Sequence, residues 1–250
     1  MAKATFRVWR GTREKGDFVD YQTEVTEGMV VLDAVHQIQA ESAMDLAARW
    51  NCKAGKCGSC SAEINGMPKL MCMTRLDTIP LDQPVTVEPM KAFPLIKDLV
   101  TDVSWNFAVK QAIPKLKTRK PDAPDGTWRM QQEDIERVQE FRKCIECFLC
   151  QDVCHVLRNH HMHAEFMGPR FFTYTAALEM QPLDTDDRLE HLRKEGGIGL
   201  CNITKCCTKV CPESIHITDN AIIPLKERVV DEFYDPLGWL VKRARNALKH

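Results

Sequence analysis

Long apolar runs are missing from this sequence. None approaches the ~20 residues that a membrane-spanning helix needs, so no span is expected. The opening stretch, "MAKATFRVWRGTREKGDF", carries charges but no apolar h-region. It reads neither as a secretory signal nor as an organelle transit peptide. Net charge is also scarce: 34 Lys and Arg against 35 Asp and Glu leave −1. Nothing in that balance points to nucleic acid as a partner. A hydrophobic content of 44% is ordinary for a soluble globular chain. The length of 250 residues allows one large domain or two small ones. These absences lead to the expectation of a reducing, cytoplasmic setting.

Cysteine, by contrast, is abundant. There are 12, and in a reducing compartment clustered cysteines signal metal or redox chemistry rather than disulfides. They fall into three groups: Cys52, Cys57, Cys60 and Cys72; Cys144, Cys147, Cys150 and Cys154; and Cys201, Cys206, Cys207 and Cys211.

The chain changes character along its length. Residues 4–9 and 18–25 alternate apolar and polar and predict a hairpin turning through "GTREKG". "MVVLDAVHQIQAE" carries a helical stripe of Val31, Leu32, Val35 and Ile38. "SAEINGMPKL" predicts a second hairpin turning at Asn65-Gly66, and "PVTVEPM" a last strand. These elements make a small α+β unit over residues 1–92. Beyond it the pattern turns helical: "PLIKDLVTDVSWNFAVKQ", "QEDIERVQEFRKC", "PRFFTYTAALEMQ" and "DTDDRLEHLRKEGG" all read as helices. "IPKLKTRKPDAPDGTW" reads as an exposed connection. Residues 93–250 are therefore expected to form a second, helical domain without strands.

The first group runs Cys52-x4-Cys57-x2-Cys60-x11-Cys72, which is the plant-type [2Fe–2S] spacing. Gly55 and Gly58 suit a loop that turns tightly and brings backbone N–H groups to the cluster sulfurs. Structural zinc is the alternative, but zinc prefers paired C-x2-C ligands. The second group, Cys144-x2-Cys147-x2-Cys150-x3-Cys154, is the bacterial ferredoxin run, in which the fourth cysteine serves the other cluster. Laid on that template, "CNITKCCTKVCP" supplies Cys201, Cys207, Cys211 and Pro212, with Thr204 where the second cysteine belongs. The crossing rule gives [4Fe–4S] to Cys144, Cys147, Cys150 and Cys211. Cys154, Cys201 and Cys207 are left around a three-thiolate centre, [3Fe–4S]. Cys206 is one residue out of register and reads as a small buried apolar group. The rival reading has it completing a second [4Fe–4S]. Plant-type [2Fe–2S] centres sit near about −400 mV. Fewer thiolates favour adding an electron, so the three-thiolate centre is expected to be easier to reduce than its four-thiolate neighbour.

The order of "CKAGKCGSC", "KLMCMTRL", "CIECFLCQDVC" and "CTKVCP" resembles the iron–sulfur subunit of succinate dehydrogenase and fumarate reductase over nearly the whole chain. The resemblance implies a plant-type (β-grasp) ferredoxin domain followed by an all-α domain like bacterial ferredoxins. It implies a flavoprotein partner bearing FAD, a membrane anchor and a quinone near [3Fe–4S]. Succinate chemistry would belong to the flavoprotein, so no catalytic acid, base or nucleophile is expected here, and no metal other than iron. The subunit would lie peripherally on the cytoplasmic face of a bacterial membrane. Two departures stand out. His155 follows Cys154 where many ubiquinone-linked relatives have proline, and Asn202 follows Cys201 where they have histidine. The sequence is closer to menaquinone-linked members.

His155, His160, His161 and His163 suggest a proton relay or a further metal, or simply solvated histidines at a helix end. At the C-terminus, Leu237, Leu240, Ala244 and Leu248 form an apolar stripe flanked by Lys242, Arg243, Arg245 and Lys249. That pattern suits a helix at a membrane surface, or a terminal helix packed on its own domain. A partner flavoprotein of another kind, or a multi-zinc interaction module, are the competing functions.

Overall fold

The computed structural model describes residues 2–236 and 238. The expected C-terminal stripe lies outside them. The chain forms two compact units. One takes the chain up to Phe107, together with Cys144–His161 and Cys206–Ser214. The other takes Ala108–Lys143, Met162–Lys205 and the described residues from Ile215. No described helix is long and apolar enough to cross a membrane.

The first unit is built on a five-stranded sheet. Strands β1 (Ala2–Gly11) and β2 (Gly16–Val25) form the expected hairpin. β3 (Ser61–Ile64) and β4 (Met67–Leu70) form the second, and β5 (Val85–Glu88) completes the sheet. The order is β2-β1-β5-β3-β4, with β1 and β5 parallel in the register Phe6↔Val85. Asn65 and Gly66 take φ of 49° and 73°, the left-handed pair that a tight two-residue hairpin requires. Helix α1 (Val31–Glu41) opens where the Val30 N–H donates to the Asp33 carboxylate at 3.1 Å. Its buried face, Val31, Leu32, Ala34, Val35 and Ile38, joins Phe6, Val8, Ile64, Val85 and Val87 in one core. Each large side chain buried there contributes about 1.5–3 kcal/mol. The sheet, the single helix and the cysteine loop agree with the α+β expectation.

Residues 94–111 are not one helix. They form β6 (Leu95–Lys97) and β7 (Val100–Thr101), and only then α2 (Ser104–Ala112). The cause is Asp98, buried and left-handed at φ 49°. Its carboxylate accepts from Arg10 Nε at 3.1 Å and from the N–H groups of Gly11 and Ala47, each at 2.8 Å. This tertiary anchor fixes a turn that outweighs local helix preference. The helix starts where Asp102 accepts the Ser104 N–H at 2.9 Å. Strands therefore do occur beyond residue 92.

The described part of the second unit is helical. It contains α3 (Gln132–Gln139), continued by a 3₁₀ turn over Glu140–Lys143. Past the short α4 (Leu149–Asp152) and α5 (His155–Arg158) of the first unit come α6 (Pro169–Glu179) and α7 (Leu189–Lys194). The chain returns to the first unit at α8 (Cys206–Lys209). A π-helical stretch, Ile217–Ile222, then leads into α9 (Ile223–Phe233). Helix α7 begins five residues inside the expected segment, because Arg188 is held just before it. That side chain is wholly buried. It donates to the carbonyls of Pro114 (2.7 Å) and Lys115 (2.8 Å), and to the carboxylates of Asp184 (2.8 Å) and Glu179 (3.2 Å). "IPKLKTRKPDAPDGTW" is largely exposed, as expected, but ordered by its own bonds, such as Trp128 Nε1 to the Arg119 carbonyl at 3.0 Å.

Removing one partner of a buried ion pair strands the others in the interior, at a cost on the order of 3–5 kcal/mol. Arg188→Ala is therefore expected to lower the melting temperature clearly in calorimetry. An unchanged melting temperature would show that water replaces the guanidinium at no cost.

Candidate iron–sulfur centres

The first cysteine loop turns through three left-handed residues: Lys53, Gly55 and Gly58, at φ of 54°, 65° and 69°. That curvature points backbone N–H groups inward. Ala54 and Lys56 donate to the Cys52 sulfur at 3.4 and 3.3 Å, and Cys52 N–H reaches the Cys57 sulfur at 3.5 Å. On Cys57, burial opposes ionisation. Hydrogen bonds from the Ser59 hydroxyl and the Cys52 and Ser59 N–H groups outweigh it and bring the thiol down to about 6. Cys60 behaves in the opposite way: burial pushes it up to about 12, although the Cys72 N–H donates to its sulfur. Cys72, just after β4, is brought beside Cys60 by the β3–β4 hairpin, where Met71 N–H donates to the Cys60 carbonyl at 3.0 Å.

The second centre is assembled from two separated stretches of the same unit. Burial pushes Cys147 up to about 12 and Cys150 well above the ordinary thiol value. Next to burial, the charges that raise Cys150 further are those of Cys147, Cys144, Cys207 and Cys211. Cys144, Cys147 and Cys211, the rest of the expected [4Fe–4S] set, are thus within electrostatic reach of Cys150, and so is Cys207 of the other set. Glu146 and Phe148 take φ of 55° and 61°. A left-handed turn costs roughly 1–2 kcal/mol per non-glycine residue, and here it folds the chain back on both sides of Cys147. No glycine marks these positions, so residue type carries no sign of the turn.

Of the third set, Cys154 and Cys207 are buried in the first unit, and Cys201 belongs to the second. Burial lifts Cys154 to about 12. Its backbone donors, from Leu157 and Val156, oppose this, and Cys206 and Cys207 add to it, in that order. Cys206 is therefore near Cys154. Cys201 is followed by Ile203 and Lys205, both at φ 61°; left-handed backbone at a β-branched residue is a marked outlier. The Lys226 ammonium donates to the Cys201 carbonyl at 2.6 Å.

The first unit also holds a buried charge network that spacing arguments missed. Glu63 on β3, wholly buried, is clasped by Arg158 at 2.7 and 2.9 Å and by Lys91 at 3.1 Å. Asp152, also buried, accepts the Ala92 N–H at 2.9 Å. Burial, with Glu63 as neighbour, pushes its carboxyl up to about 7. Alternation puts Glu63 on the face of β3 opposite Ala62 and Ile64, where a solvent-facing residue is expected; nothing local flags the burial of Glu63 or of Asp152. Of the histidines, His155 and His160 stand with ring centroids 6.3 Å apart.

Among the described residues, no three His, Cys, Asp or Glu side chains are drawn together as around one ion. The fit to clusters rests instead on the donor set. N–H groups are aimed at sulfurs, and buried thiols hold their protons until a cation replaces them. When bound, iron–sulfur clusters supply one-electron redox chemistry.

Comparison with known proteins agrees with this reading. A 2Fe-2S iron-sulfur cluster binding domain matches residues 5–108, and a 4Fe-4S dicluster domain matches residues 140–215. The fumarate reductase iron-sulfur subunit of Mycobacterium tuberculosis is 32% identical over 203 residues, 79% of this chain and 80% of that protein. The succinate dehydrogenase iron-sulfur subunit of Bacillus subtilis is 31% identical over 190 residues, 72% of this chain and 71% of that one. A chain of the Mycobacterium smegmatis Sdh1 complex, solved in the apo form, is 59% identical. It superposes with a TM-score of 0.90, covering 94% of this chain and 98% of that one. This protein belongs to the family of iron–sulfur subunits of succinate dehydrogenase and fumarate reductase.

Proposed function

We propose that the chain carries electrons between FAD in a partner flavoprotein and a quinone, as the iron–sulfur subunit of a succinate:quinone oxidoreductase. Cys52, Cys57, Cys60 and Cys72 hold [2Fe–2S]. Cys144, Cys147, Cys150 and Cys211 hold [4Fe–4S]. Cys154, Cys201 and Cys207 hold [3Fe–4S]. The observation that carries the reading is the complete ordered set of ligand spacings in one chain: C-x4-C-x2-C with a distant Cys, then C-x2-C-x2-C-x3-C, then C-x5-C-x3-C-P. The hydrogen bonds to Cys52 and Cys57 support it, because each N–H aimed at a sulfur stabilises added negative charge.

The protein's own part is to bind, space and insulate. The N-terminal sheet unit, which draws in Cys144–His161 and Cys206–Ser214, carries the ligands of the first two centres together with Cys154 and Cys207, and Cys201 comes from the second, helical unit. Succinate is handled by the flavoprotein. Anchor subunits hold the assembly on the cytoplasmic face of the membrane, and His155 and Asn202 point to menaquinone as acceptor. Running the same wiring in reverse reduces fumarate, a reading favoured by the M. tuberculosis relative's name.

The test is purification of the native complex, with an assay of succinate oxidation and extraction of its quinone. A flavoprotein partner, succinate-dependent quinone reduction and bound menaquinone are expected. A co-purifying flavoprotein inactive on both succinate and fumarate would overturn the proposal.

A further inference from the structure

Gly58 lies between two cysteines of the first group, Cys57 and Cys60, and its backbone is pressed against a cysteine of the second. A Cβ added at Gly58 would stand 2.7 Å from Cys147 Cα and 2.9 Å from Cys147 N. No side chain fits there, and φ of 69° also favours glycine. The Ser61 hydroxyl secures the same place. It lies 2.9 Å from the Gly58 carbonyl and 2.8 Å from the Cys147 carbonyl. One proton serves both oxygens, by sharing or by alternation. Ser61 is buried at the start of β3, so the rigid sheet holds the hydroxyl in position. A surface ion pair, Lys56 to Glu213 at 3.1 Å, adds a weaker tie; the lysine is 70% exposed. Next to the contact the loops part around a cavity of about 270 Å³ lined by Cys57, Ser59, Glu146 and Phe148 among others. The close approach is therefore local, at Gly58 and Cys147.

From this geometry we infer that the Gly58–Cys147 contact, fixed by Ser61, is where the electron crosses from the first centre to the second. The inference rests on the ligand assignment proposed above. The crossing is a one-electron transfer: one centre is oxidised, the other reduced, no bond forms or breaks and no proton has to move. Transfer between separated centres weakens steeply with the gap between their ligands. A backbone contact without an intervening side chain keeps that gap short. Gly58 permits the contact, and Ser61 is a positioning residue that holds it.

The experiment compares the unmodified purified complex with Ser61→Ala and Gly58→Ala. Low-temperature EPR reads the amount of each centre and the magnetic interaction between the reduced first and second centres. Rapid-freeze sampling after succinate addition reads the order in which they fill. Ser61→Ala is expected to keep both signals, weaken their interaction and slow reduction of the second centre several-fold. The first should fill at its unmodified rate. Gly58→Ala should do the same more severely; where it fails to assemble, Ser61→Ala decides. Unchanged interaction and rate in Ser61→Ala with both centres present would overturn the inference. Loss of either signal in that variant would overturn it too, by showing that Ser61 serves cluster retention. Absence of the second centre from the unmodified complex would instead remove the ligand assignment beneath it.

Discussion

Cys57→Ala is expected to abolish the [2Fe–2S] signal and, with it, electron flow from succinate to quinone. Cys57 lies at the middle of the first loop. It is the thiol of that set brought down to about 6, because the Ser59 hydroxyl and the Cys52 and Ser59 N–H groups overcome its burial. Alanine removes the sulfur that receives those donors and leaves them facing an apolar methyl group. The sheet should survive, because the core around Phe6, Val8, Ile64 and Val87 lies away from this partly exposed position. The [4Fe–4S] and [3Fe–4S] signals should therefore persist while turnover falls to background. Turnover at the unmodified rate in intact protein would mean that the first group is not part of the electron path.

The second large effect separates two adjacent cysteines. Cys207→Ala is expected to remove the signal of an oxidised [3Fe–4S] centre, whereas Cys206→Ala should leave it unchanged. Cys207 is buried and in register with Cys201 and Cys211; Cys206 is half-buried and one residue out. The comparison is demanding, because Cys206 also bears on Cys154, ahead of Cys207. Proximity alone does not make it a ligand, since consecutive residues point their side chains in different directions from a helix start such as α8. Loss of the centre in Cys206→Ala would overturn the register argument. Thr204→Cys restores the ferredoxin template and should convert the centre to [4Fe–4S] with a lower potential.

The sequence displayed most of what positions the first centre. Alternation marked β1, β2 and β5, the 3.6-residue stripe marked α1, and Asn65-Gly66 marked the β3–β4 hairpin, because each feature is stabilised locally. β6 and β7 were not legible. Their turn depends on Asp98 receiving donors from Arg10, Gly11 and Ala47, residues 51 or more positions away along the chain. The short helices α4, α5 and α8 were hidden for a different reason: at four residues each they are too short to show a period. Ligand spacing made the cysteine groups visible. It could not show that Glu146, Phe148, Ile203 and Lys205 take left-handed backbone without glycine, nor that Glu63 and Asp152 are buried. The division read at residue 92 follows a change of composition. The compact units follow contacts instead, and draw Cys144–His161 and Cys206–Ser214 in with the N-terminal sheet.

The most direct measurement of the central claim is EPR of the purified native complex, first oxidised in air and then reduced with succinate. Three centres in series predict an oxidised [3Fe–4S] signal before succinate. Succinate should then erase it and bring up a reduced [2Fe–2S] signal. A complex that contains this chain intact but shows no [3Fe–4S] signal when oxidised, or no [2Fe–2S] signal at any level of reduction, would contradict the account.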